Sequence, residues 1–299
     1  MRKPLIVSIA LVIALAITAL PVLAITGNFV KDFEHPFVGL VVFYDEEGEF
    51  SHRCSGSLLS PTVFLTAGHC TDGASSARVY FQQDAGAHFD PETQLDPVSG
   101  YPEFCAEGTL GVTCATSDEL YNFGFDNFAD YPNTRDAGLV ILDQPISLPE
   151  YGQLAAAGTL DPLVTQRGRQ DLTVTVSGYG LSYINPSRVV SFRERLMAEA
   201  KLVNLRSANT AGFNLQTTAN PGGGKGGTCF GDSGGPVFYG SSSSNLIVGV
   251  TSFGFGFNRD VCAGVDFAFR TDQQVVIDWI LETIPEDQVA LIQIVDIWE

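Results

Sequence analysis

The chain has 299 residues, 16 of them basic and 34 acidic, which gives a formal net charge of -18. This length suffices for one large domain or for two compact ones, each with a buried core. So negative a chain is not expected to bind nucleic acid or an anionic membrane surface, because phosphates would repel it. High solubility is the simplest explanation of the acidic balance.

The first 24 residues have the pattern of a targeting segment. Arg2 and Lys3 precede a long apolar stretch, which is followed by Pro21 and by small residues up to Ala24. This pattern predicts a secretory signal peptide over residues 1–24, cut after Ala24. The alternative is a retained membrane anchor, because the stretch approaches spanning length. We expect a secreted, extracellular protein without stable membrane insertion once the signal is removed.

Short apolar runs separated by turn residues make up most of the remaining chain. Examples are "VGLVVFY", "ARVYF", "AGLVIL", "LTVTVSGYG" and "LIVGVTSF", and 31 glycines and 15 prolines punctuate the sequence. No helical period runs through these segments, so an all-β architecture is predicted. The exception is "TDQQVVIDWILETI", where Thr271 and Gln274 have capping-box spacing and Val275, Val276 and Ile280 follow at helical spacing. It predicts a C-terminal helix packed on a core.

The stretch "DQPISLPEYGQLAAAGTLDP" interrupts the strand pattern with polar, proline and glycine residues. It predicts a boundary within residues 145–165 between β-rich halves of comparable size. We divide the mature chain into an N-terminal domain, residues 25–155, and a C-terminal domain, residues 156–299.

The six cysteines are an even number in a chain that is predicted to be exported. This favours disulfides over metal thiolates, and no C-x-x-C pair suggests a metal site. We expect no metal and no cofactor. Sequence alone leaves the pairing open, and the simplest scheme joins near neighbours: Cys54 with Cys70, Cys105 with Cys114, and Cys229 with Cys262.

Three polar residues stand at chemically suggestive places. His69 lies in "LTAGHC" directly after a strand-like run, Asp136 lies in "RDAGLVIL" at the start of the apolar strand, and Ser233 lies in the glycine-rich "GDSGGP". Each alone has an ordinary structural explanation: a packed histidine, a turn residue at a strand start, and a tight turn. The remaining histidines, His35, His52 and His88, are expected to be structural or exposed.

Together these residues have a specific chemical meaning. A serine hydroxyl needs a base to remove its proton, and histidine commonly supplies it. The histidine needs a carboxylate on its other nitrogen to fix the tautomer and to balance the imidazolium charge. Glycines around Ser233 allow a loop in which the backbone N–H groups of Gly231 and Ser233 converge on a developing oxyanion.

The order of "LTAGHC", "RDAGLVIL" and "GDSGGP" in the chain resembles the chymotrypsin/trypsin-like serine endopeptidases. The resemblance covers nearly the whole mature chain and implies two antiparallel six-stranded β-barrels with the active site in the cleft between them. It implies that His69 is the general base, that Asp136 orients it and that Ser233 is the nucleophile. It also implies that Cys54 and Cys70 brace the histidine loop and that Cys229 and Cys262 clamp the specificity pocket.

The resemblance is weakest from residue 71 to residue 130, which we interpret as an insertion that contains Cys105 and Cys114. Some relatives bind calcium near this region, and the insertion is rich in acids: Asp84, Asp90, Glu92 and Asp96. Their spacing fits no regular calcium loop, so a solvated acidic loop is the preferred interpretation.

Family members begin, once activated, with a new amine that folds onto the aspartate before the nucleophile. Here the signal cut exposes Ile25 of "ITGN", and the acid is Asp232. A buried carboxylate without a partner is unfavourable, so the ammonium is expected to stabilise the oxyanion loop. We expect signal cleavage itself to generate the active form, the alternative being that Ile25 is an ordinary exposed terminus.

The resemblance also implies a substrate pocket lined by Gly227, Thr228, Phe230, Ser252, Phe253 and Gly254, with Ser252 beside Asp136. Gly227 stands where trypsin-like members carry an aspartate, which favours neutral or apolar residues before the cleaved bond. Asp266 has an ambiguous alignment, and a position in the pocket would restore a preference for basic residues.

The predicted partners are protein or peptide substrates, and we expect a monomer. An esterase-like acyl hydrolase and a catalytically dead binding module on the same fold are the alternatives. The strand "VTSF", suited to pairing with a peptide backbone, favours peptides over esters. The presence of His69, Asp136 and Ser233 together argues against a dead module.

Overall fold

The structure is a computed structural model, and it describes residues 25–85, 113–165, 172–185, 188–190, 193–220, 222–257 and 260–298. The predicted signal peptide and residues 86–112 of the predicted insertion, including His88, Asp90 and Cys105, lie outside the described residues. Across the described ranges, no helix combines the length and the apolar character needed to span a bilayer.

Strands dominate the first half of the described chain. They are β1 (Thr26–Gly27), β2 (Phe29–Lys31), β3 (Val38–Tyr44), β4 (Phe50–Leu58), β5 (Val63–Thr66), β6 (Ser76–Tyr80), β7 (Cys114–Ser117), β8 (Glu119–Asn122) and β9 (Gly138–Ile141). From β3 to β9 they form a seven-stranded sheet in the order β7-β6-β3-β4-β5-β9-β8. Its neighbours pair antiparallel, as expected for strands joined by short turns.

The second half adds a larger sheet. Its strands are β10 (Gln153–Ala155), β11 (Thr173–Gly178), β12 (Tyr183–Asn185), β13 (Arg188–Val190), β14 (Leu196–Asn204), β15 (Asn214–Thr218), β16 (Gly226–Gly227), β17 (Pro236–Tyr239), β18 (Leu246–Phe257), β19 (Asp260–Arg270) and β20 (Ile294–Val295). The nine-stranded sheet runs β17-β11-β14-β15-β19-β18-β10-β20, with β2 added on β14 and with β17 also pairing with β18. That extra pairing brings the sheet back on itself, which makes it barrel-like.

The predicted fold class is therefore confirmed: the protein is mostly β, with two barrel-like sheets and a C-terminal helix. The closed ring of the second sheet, β17-β11-β14-β15-β19-β18, has the expected six strands, and the first sheet has seven. Outside the ring, β2 and β20 add N-terminal and C-terminal residues to the second sheet. β10 pairs with β18 of the second sheet, although its residues 153–155 had been assigned to the N-terminal domain. The first sheet spans residues 38–141, and the domain division at residue 155 stays a prediction.

Each sheet surrounds an apolar core. All residues of β3 are buried, and the first core contains Phe43, Phe64 and Leu139. The second core contains Val176 and Val248. Burial of these side chains drives formation of both sheets, at about 25 cal/mol per Å² of apolar surface removed from water.

A buried arginine fixes the second sheet against the first. Arg195 is 3% exposed, and its Nη1 donates to the carbonyls of Val38 and Phe81, each at 3.1 Å. Its Nε donates to the carbonyl of Asp32 at 3.0 Å. Buried carbonyl groups need hydrogen-bond donors, so Arg195 stabilises the contact between the two sheets.

Helices are few and short: α1 (Gly68–Thr71), α2 (Gln274–Thr283), α3 (Glu286–Val289) and the 3-10 turns Asp161–Thr165 and Gly222–Gly224. The predicted terminal helix is α2, and it buries Val276 and Ile280. Val275 is 64% exposed, and no side chain caps the helix start. The predicted capping box is therefore wrong, because Thr271 is turned inward, where its Oγ1 lies 3.5 Å from the carbonyl of Ile247.

Two of the predicted disulfides are present, Cys54–Cys70 and Cys229–Cys262. Cys105 lies outside the described residues, so its pairing with Cys114 stays a prediction. Cystines are typical of proteins from oxidising compartments.

Replacing both Cys54 and Cys70 with serine should lower the free energy of unfolding by about 3 kcal/mol, because closure of a loop of this length restricts the unfolded chain. The two residues are 16 apart in sequence. Urea denaturation measures the change, and the paired Cys229→Ser, Cys262→Ser variant is the control. That pair is 33 residues apart and should cost slightly more. An unchanged unfolding midpoint in the first variant would contradict the prediction.

Candidate active site

His69 lies at the start of the cleft between the sheets. β5 ends at Thr66, and α1 follows at Gly68. This turn places His69 at the edge of the first sheet, where its side chain lines the cleft. Gly68 is needed there, because a Cβ on it would lie 3.0 Å from the carbonyl oxygen of Ala137. The disulfide from Cys70 to Cys54 on β4 secures the other side of this turn.

Asp136 positions His69 through two hydrogen bonds. The aspartate is fully buried just before β9, and its Oδ2 accepts a hydrogen bond from His69 Nδ1 at 2.8 Å. Its Oδ1 accepts the backbone N–H of His69 at 2.7 Å, and the Ser252 hydroxyl also donates to Oδ2. With Nδ1 as the donor, the neutral imidazole keeps Nε2 as its basic nitrogen. The predicted association of His69, Asp136 and Ser252 is thus seen in the structure.

Ser233 lies in the loop predicted from its glycines. Gly231 and Gly234 have positive φ angles of 93° and 78°, which glycine adopts without a Cβ penalty. A Cβ on Gly234 would lie 2.7 Å from the backbone nitrogen of Ala67, so the loop packs closely against the histidine turn. Ser233 and His69 border the same two cavities.

Only some of the backbone N–H groups of this loop are hydrogen-bonded to described residues. Those of Asp232, Gly234 and Gly235 donate to the carbonyls of Cys229, Thr251 and Asp232. In the described part of the chain, the N–H groups of Gly231 and Ser233 make no hydrogen bond. These two donors are the ones predicted for an oxyanion, and they lie beside the candidate nucleophile.

Asp232 points away from the cleft and is fully buried. Burial raises the pKa of its carboxyl to about 7, although the N–H groups of Cys229 and Gly180 donate to it at 2.9 and 2.7 Å. Ile25 is fully buried in the second core, and Thr26 pairs with Gly227. The N-terminal segment therefore enters the second barrel, but the pairing of the Ile25 amine with Asp232 stays a prediction.

A cavity of about 560 Å³ is lined in part by Ser233 and His69; we call it the Asp266 cavity. Most of the predicted pocket residues border it, namely Thr228, Phe230, Ser252, Phe253 and Gly254. The predicted Gly227 is not among its lining residues. Gly227 is buried behind the wall, where a Cβ would lie 2.7 Å from Asp266 Oδ2.

Asp266, left ambiguous by the sequence, borders this cavity and is 7% exposed. Its Oδ2 accepts the Thr228 N–H at 2.6 Å, and burial raises the pKa of the carboxyl to about 7. A carboxylate from β19 therefore lies next to Gly227, the position at which trypsin-like members carry an aspartate.

Sequence reasoning missed an aromatic wall of this cavity. Phe125 and Phe128 line it, and the Phe128 ring meets Phe253 edge-on with centroids 5.5 Å apart. Asn127 and Phe128 both have positive φ angles, 57° and 65°, an unfavourable conformation that places the ring at the cleft. The only signal in the sequence was the density of phenylalanine in "FGFDNF".

A second cavity of about 500 Å³ is also lined by Ser233 and His69; we call it the Arg53 cavity. Its other lining residues are Ser51, His52, Arg53, Cys54, Asp72, Leu181, Phe230 and Gly231. None of them except Phe230, Gly231 and Cys54 had been assigned a role from sequence.

The other described histidines are structural, as expected. His35 is fully buried, with Nδ1 2.9 Å from Asp32 Oδ1, and Ser177 donates to Asp32 Oδ2 at 2.5 Å. This second group of serine, histidine and aspartate is closed to solvent, so no substrate reaches it. His52 is half-buried, and its Nε2 bonds the carbonyl of Cys70 at 2.8 Å.

No described residue group makes a convincing metal site. Cys54, His69 and Cys70 offer ligand atoms within 4.8 Å of one another, but both sulfurs are in a disulfide. Of the predicted acidic insertion, Asp84 is described and its backbone bridges to Glu194. Asp90, Glu92 and Asp96 lie outside the described residues, so the solvated acidic loop expected there stays a prediction.

A histidine held by a buried aspartate, a serine in a glycine-rich loop that lines the same cavities, and two barrel-like sheets are together typical of the chymotrypsin-like serine proteases. The family model described as Trypsin matches residues 25–280. The chain therefore belongs to the trypsin family of serine proteases.

Named relatives agree with this assignment. The chain is 32% identical over 232 residues to brachyurin of Leptuca pugilator, covering 76% of this chain and 85% of that protein. It is 30% identical over 249 residues to human chymotrypsin-like elastase family member 3B, covering 81% and 82%. A solved structure described as HL collagenase has the same fold, with a TM-score of 0.60, 18% identity, and coverage of 87% of this chain and 97% of that one.

Proposed function

We propose that the chain is a secreted serine endopeptidase that hydrolyses peptide bonds through an acyl-enzyme. The observation that carries the proposal is that the His69 ring, held by Asp136, lines the same cavities as Ser233. Among the described residues, the N–H groups of Gly231 and Ser233 have no hydrogen-bond acceptor. The two cystines and the predicted signal peptide support export. We further propose that the enzyme acts as a monomer.

In the proposed reaction the Ser233 oxygen attacks the substrate carbonyl carbon while its proton moves to His69 Nε2. The carbonyl electron pair moves onto oxygen, where the N–H groups of Gly231 and Ser233 stabilise it, each worth about 3–4 kcal/mol. Collapse breaks the C–N bond, and His69 gives the proton to the leaving amine. Water then repeats the sequence on the acyl-enzyme and releases the carboxylic acid, while Asp136 stabilises the imidazolium at both steps.

Cleavage of a mixed peptide library, followed by mass spectrometry, tests the proposal and the pocket preference together. An endopeptidase yields internal cleavages with a shared residue before the cleaved bond. Turnover of esters alone would indicate the esterase alternative, and absence of any turnover would indicate the binding module.

We propose that the Asp266 cavity takes the side chain before the cleaved bond. Phe253, Phe128 and Gly254 provide an apolar, open wall that suits the neutral or apolar side chains favoured by the sequence. The Asp266 carboxyl adds an acceptor for basic side chains once it is ionised. Because its pKa is raised to about 7, basic residues should be accepted better as the pH rises through neutrality.

Asp266→Asn should lower the ratio of kcat/KM for Arg over Phe substrates at pH 8 by about 30-fold, because a buried charge pair is lost. The variant should also be more stable at neutral pH. The folded carboxyl holds its proton between pH 3.8 and about 7 while the unfolded one releases it, so ionisation penalises folding as the pH rises. We expect a gain of about 2–4 kcal/mol at pH 8 that disappears below pH 4.

Paired measurements on Asp32→Asn separate the pocket effect from the general effect of removing a buried acid. Asp32 is also fully buried but lines neither cavity, so its replacement should leave the Arg-to-Phe ratio unchanged. An Arg-to-Phe ratio in Asp266→Asn equal to the ratio of the parent enzyme would contradict the role of Asp266.

We also propose that the amine of Ile25, freed by signal cleavage, pairs with Asp232. Support comes from the complete burial of Ile25 and Asp232 and from the β1 pairing of Thr26 with Gly227. A cation at Asp232 would keep its carboxyl ionised and fix the adjacent oxyanion loop.

A further inference from the structure

Arg53 is a cationic side chain inside the cleft of a strongly acidic protein. It lies on β4, is half-buried and borders the Arg53 cavity with Ser233. Its Nε lies 3.5 Å from the position that a Cβ on Gly231 would take. The guanidinium therefore lies directly beside the loop that carries the candidate nucleophile and oxyanion donors.

The two cavities meet at Ser233 and His69, which line both, and otherwise have mostly different lining residues. Thr228, Phe253 and Asp266 line only the Asp266 cavity, which we propose receives the side chain before the cleaved bond. His52, Arg53 and Leu181 line only the Arg53 cavity. A peptide whose side chain before the cleaved bond occupies the Asp266 cavity has the Arg53 cavity, also lined by Ser233 and His69, available for the residues after that bond.

The other ionisable groups around the Arg53 cavity are His52, His69 and Asp72. Burial lowers the pKa of His52, and the charge of His69 lowers it further, so His52 adds no positive charge at neutral pH. Asp72 is exposed and borders both cavities. Its charge acts on both sides of the cleaved bond, whereas that of Arg53 acts on one.

We propose that Arg53 selects peptides with a carboxylate side chain in the residues directly after the cleaved bond, an inference that rests on the proposed endopeptidase function. A carboxylate there pairs with a guanidinium whose half-buried position reduces solvent screening. With Asp266 on the other side, the cleft is polarised. It favours substrates that are apolar or basic before the cleaved bond and acidic after it.

Internally quenched peptides that differ only in the first two residues after the cleaved bond test this proposal. We expect kcat/KM for Asp-bearing peptides to exceed that for Lys-bearing peptides by about fivefold, as a partly exposed charge pair allows. In Arg53→Gln the ratio should fall to about one. The preference should weaken in high salt, because the pair is only partly shielded from ions.

Two control variants separate this effect from folding and from general charge. Arg53→Lys keeps the cation and should keep most of the ratio. Arg78→Gln removes a cation from β6 and should leave the ratio unchanged. Arg78 and Arg53 both pair with Val42, from the two strands that flank β3, but Arg78 lines neither cavity. Asp72→Asn removes the carboxylate that opposes Arg53 and should raise the ratio.

Each outcome decides between the inference and the proposed function. A parent enzyme that cleaves the peptides with no preference for Asp overturns the role of Arg53 while the endopeptidase stands. The same holds if Arg53→Gln cleaves and keeps the preference. A parent protein that cleaves none of the peptides overturns both.

Discussion

Replacing Ser233 with alanine should lower kcat for peptide substrates by about 10⁴- to 10⁶-fold, because the acyl-enzyme cannot form without its hydroxyl. KM should change little, since Ser233 occupies only the junction of the Asp266 and Arg53 cavities. Single-turnover kinetics on the purified mature protein measures the effect. His69→Ala in the same background should add almost no further loss, because the residues act as one unit.

Ser177→Ala is the matched control for this prediction. Ser177 also donates to an aspartate that bonds a histidine, but that group is buried away from the cleft. The control should reduce stability by about 1 kcal/mol, the usual value of one hydrogen bond, and leave kcat nearly unchanged. Equal losses of kcat in the two serine variants would contradict the placement of the active site.

Adding two residues in front of Ile25 should lower kcat/KM by about 10²- to 10³-fold. The extended chain cannot place an ammonium group at Asp232, and leaving a buried charge unpaired costs about 3–5 kcal/mol. The carboxyl is fully buried, and burial raises its pKa to about 7. The loss arises because the oxyanion loop beside Asp232 is no longer fixed in its working shape. N-terminal sequencing and kinetics on the same preparation measure it.

Ile25→Val with a free terminus is the control, because it keeps the amine and nearly the same apolar volume in the second core. This variant should retain most of the activity. Full activity of the extended chain, with the extension confirmed by sequencing, would refute the pairing of Ile25 with Asp232.

Much of the fold and of the site could be predicted from local sequence. The apolar run "VGLVVFY" became the fully buried β3, and the glycines around Ser233 do adopt the positive φ angles that make glycine necessary. His69 and Asp136 are 67 positions apart in the sequence, and the contact expected between them is observed. These features are encoded by side-chain period, by backbone freedom and by motifs with one chemical meaning.

Features that depend on long-range packing were not predictable in this way. The entry of Asp266 into the cavity depends on the register of β19 against β18, where Asp266 pairs with Gly254. The position of Phe128 depends on left-handed backbone at two residues that normally avoid it. Arg53 became a cleft residue only because β4 runs behind the oxyanion loop. None of these registers leaves a local signal in the sequence.

Labelling with an organophosphonate that modifies activated serines, followed by peptide mapping, tests the central claim most directly. The account predicts one adduct per chain, on Ser233, and none in the His69→Ala variant, since no base then activates the hydroxyl. An adduct on Ser177 instead, or no adduct on a folded mature protein that has a free Ile25 amine, would contradict it.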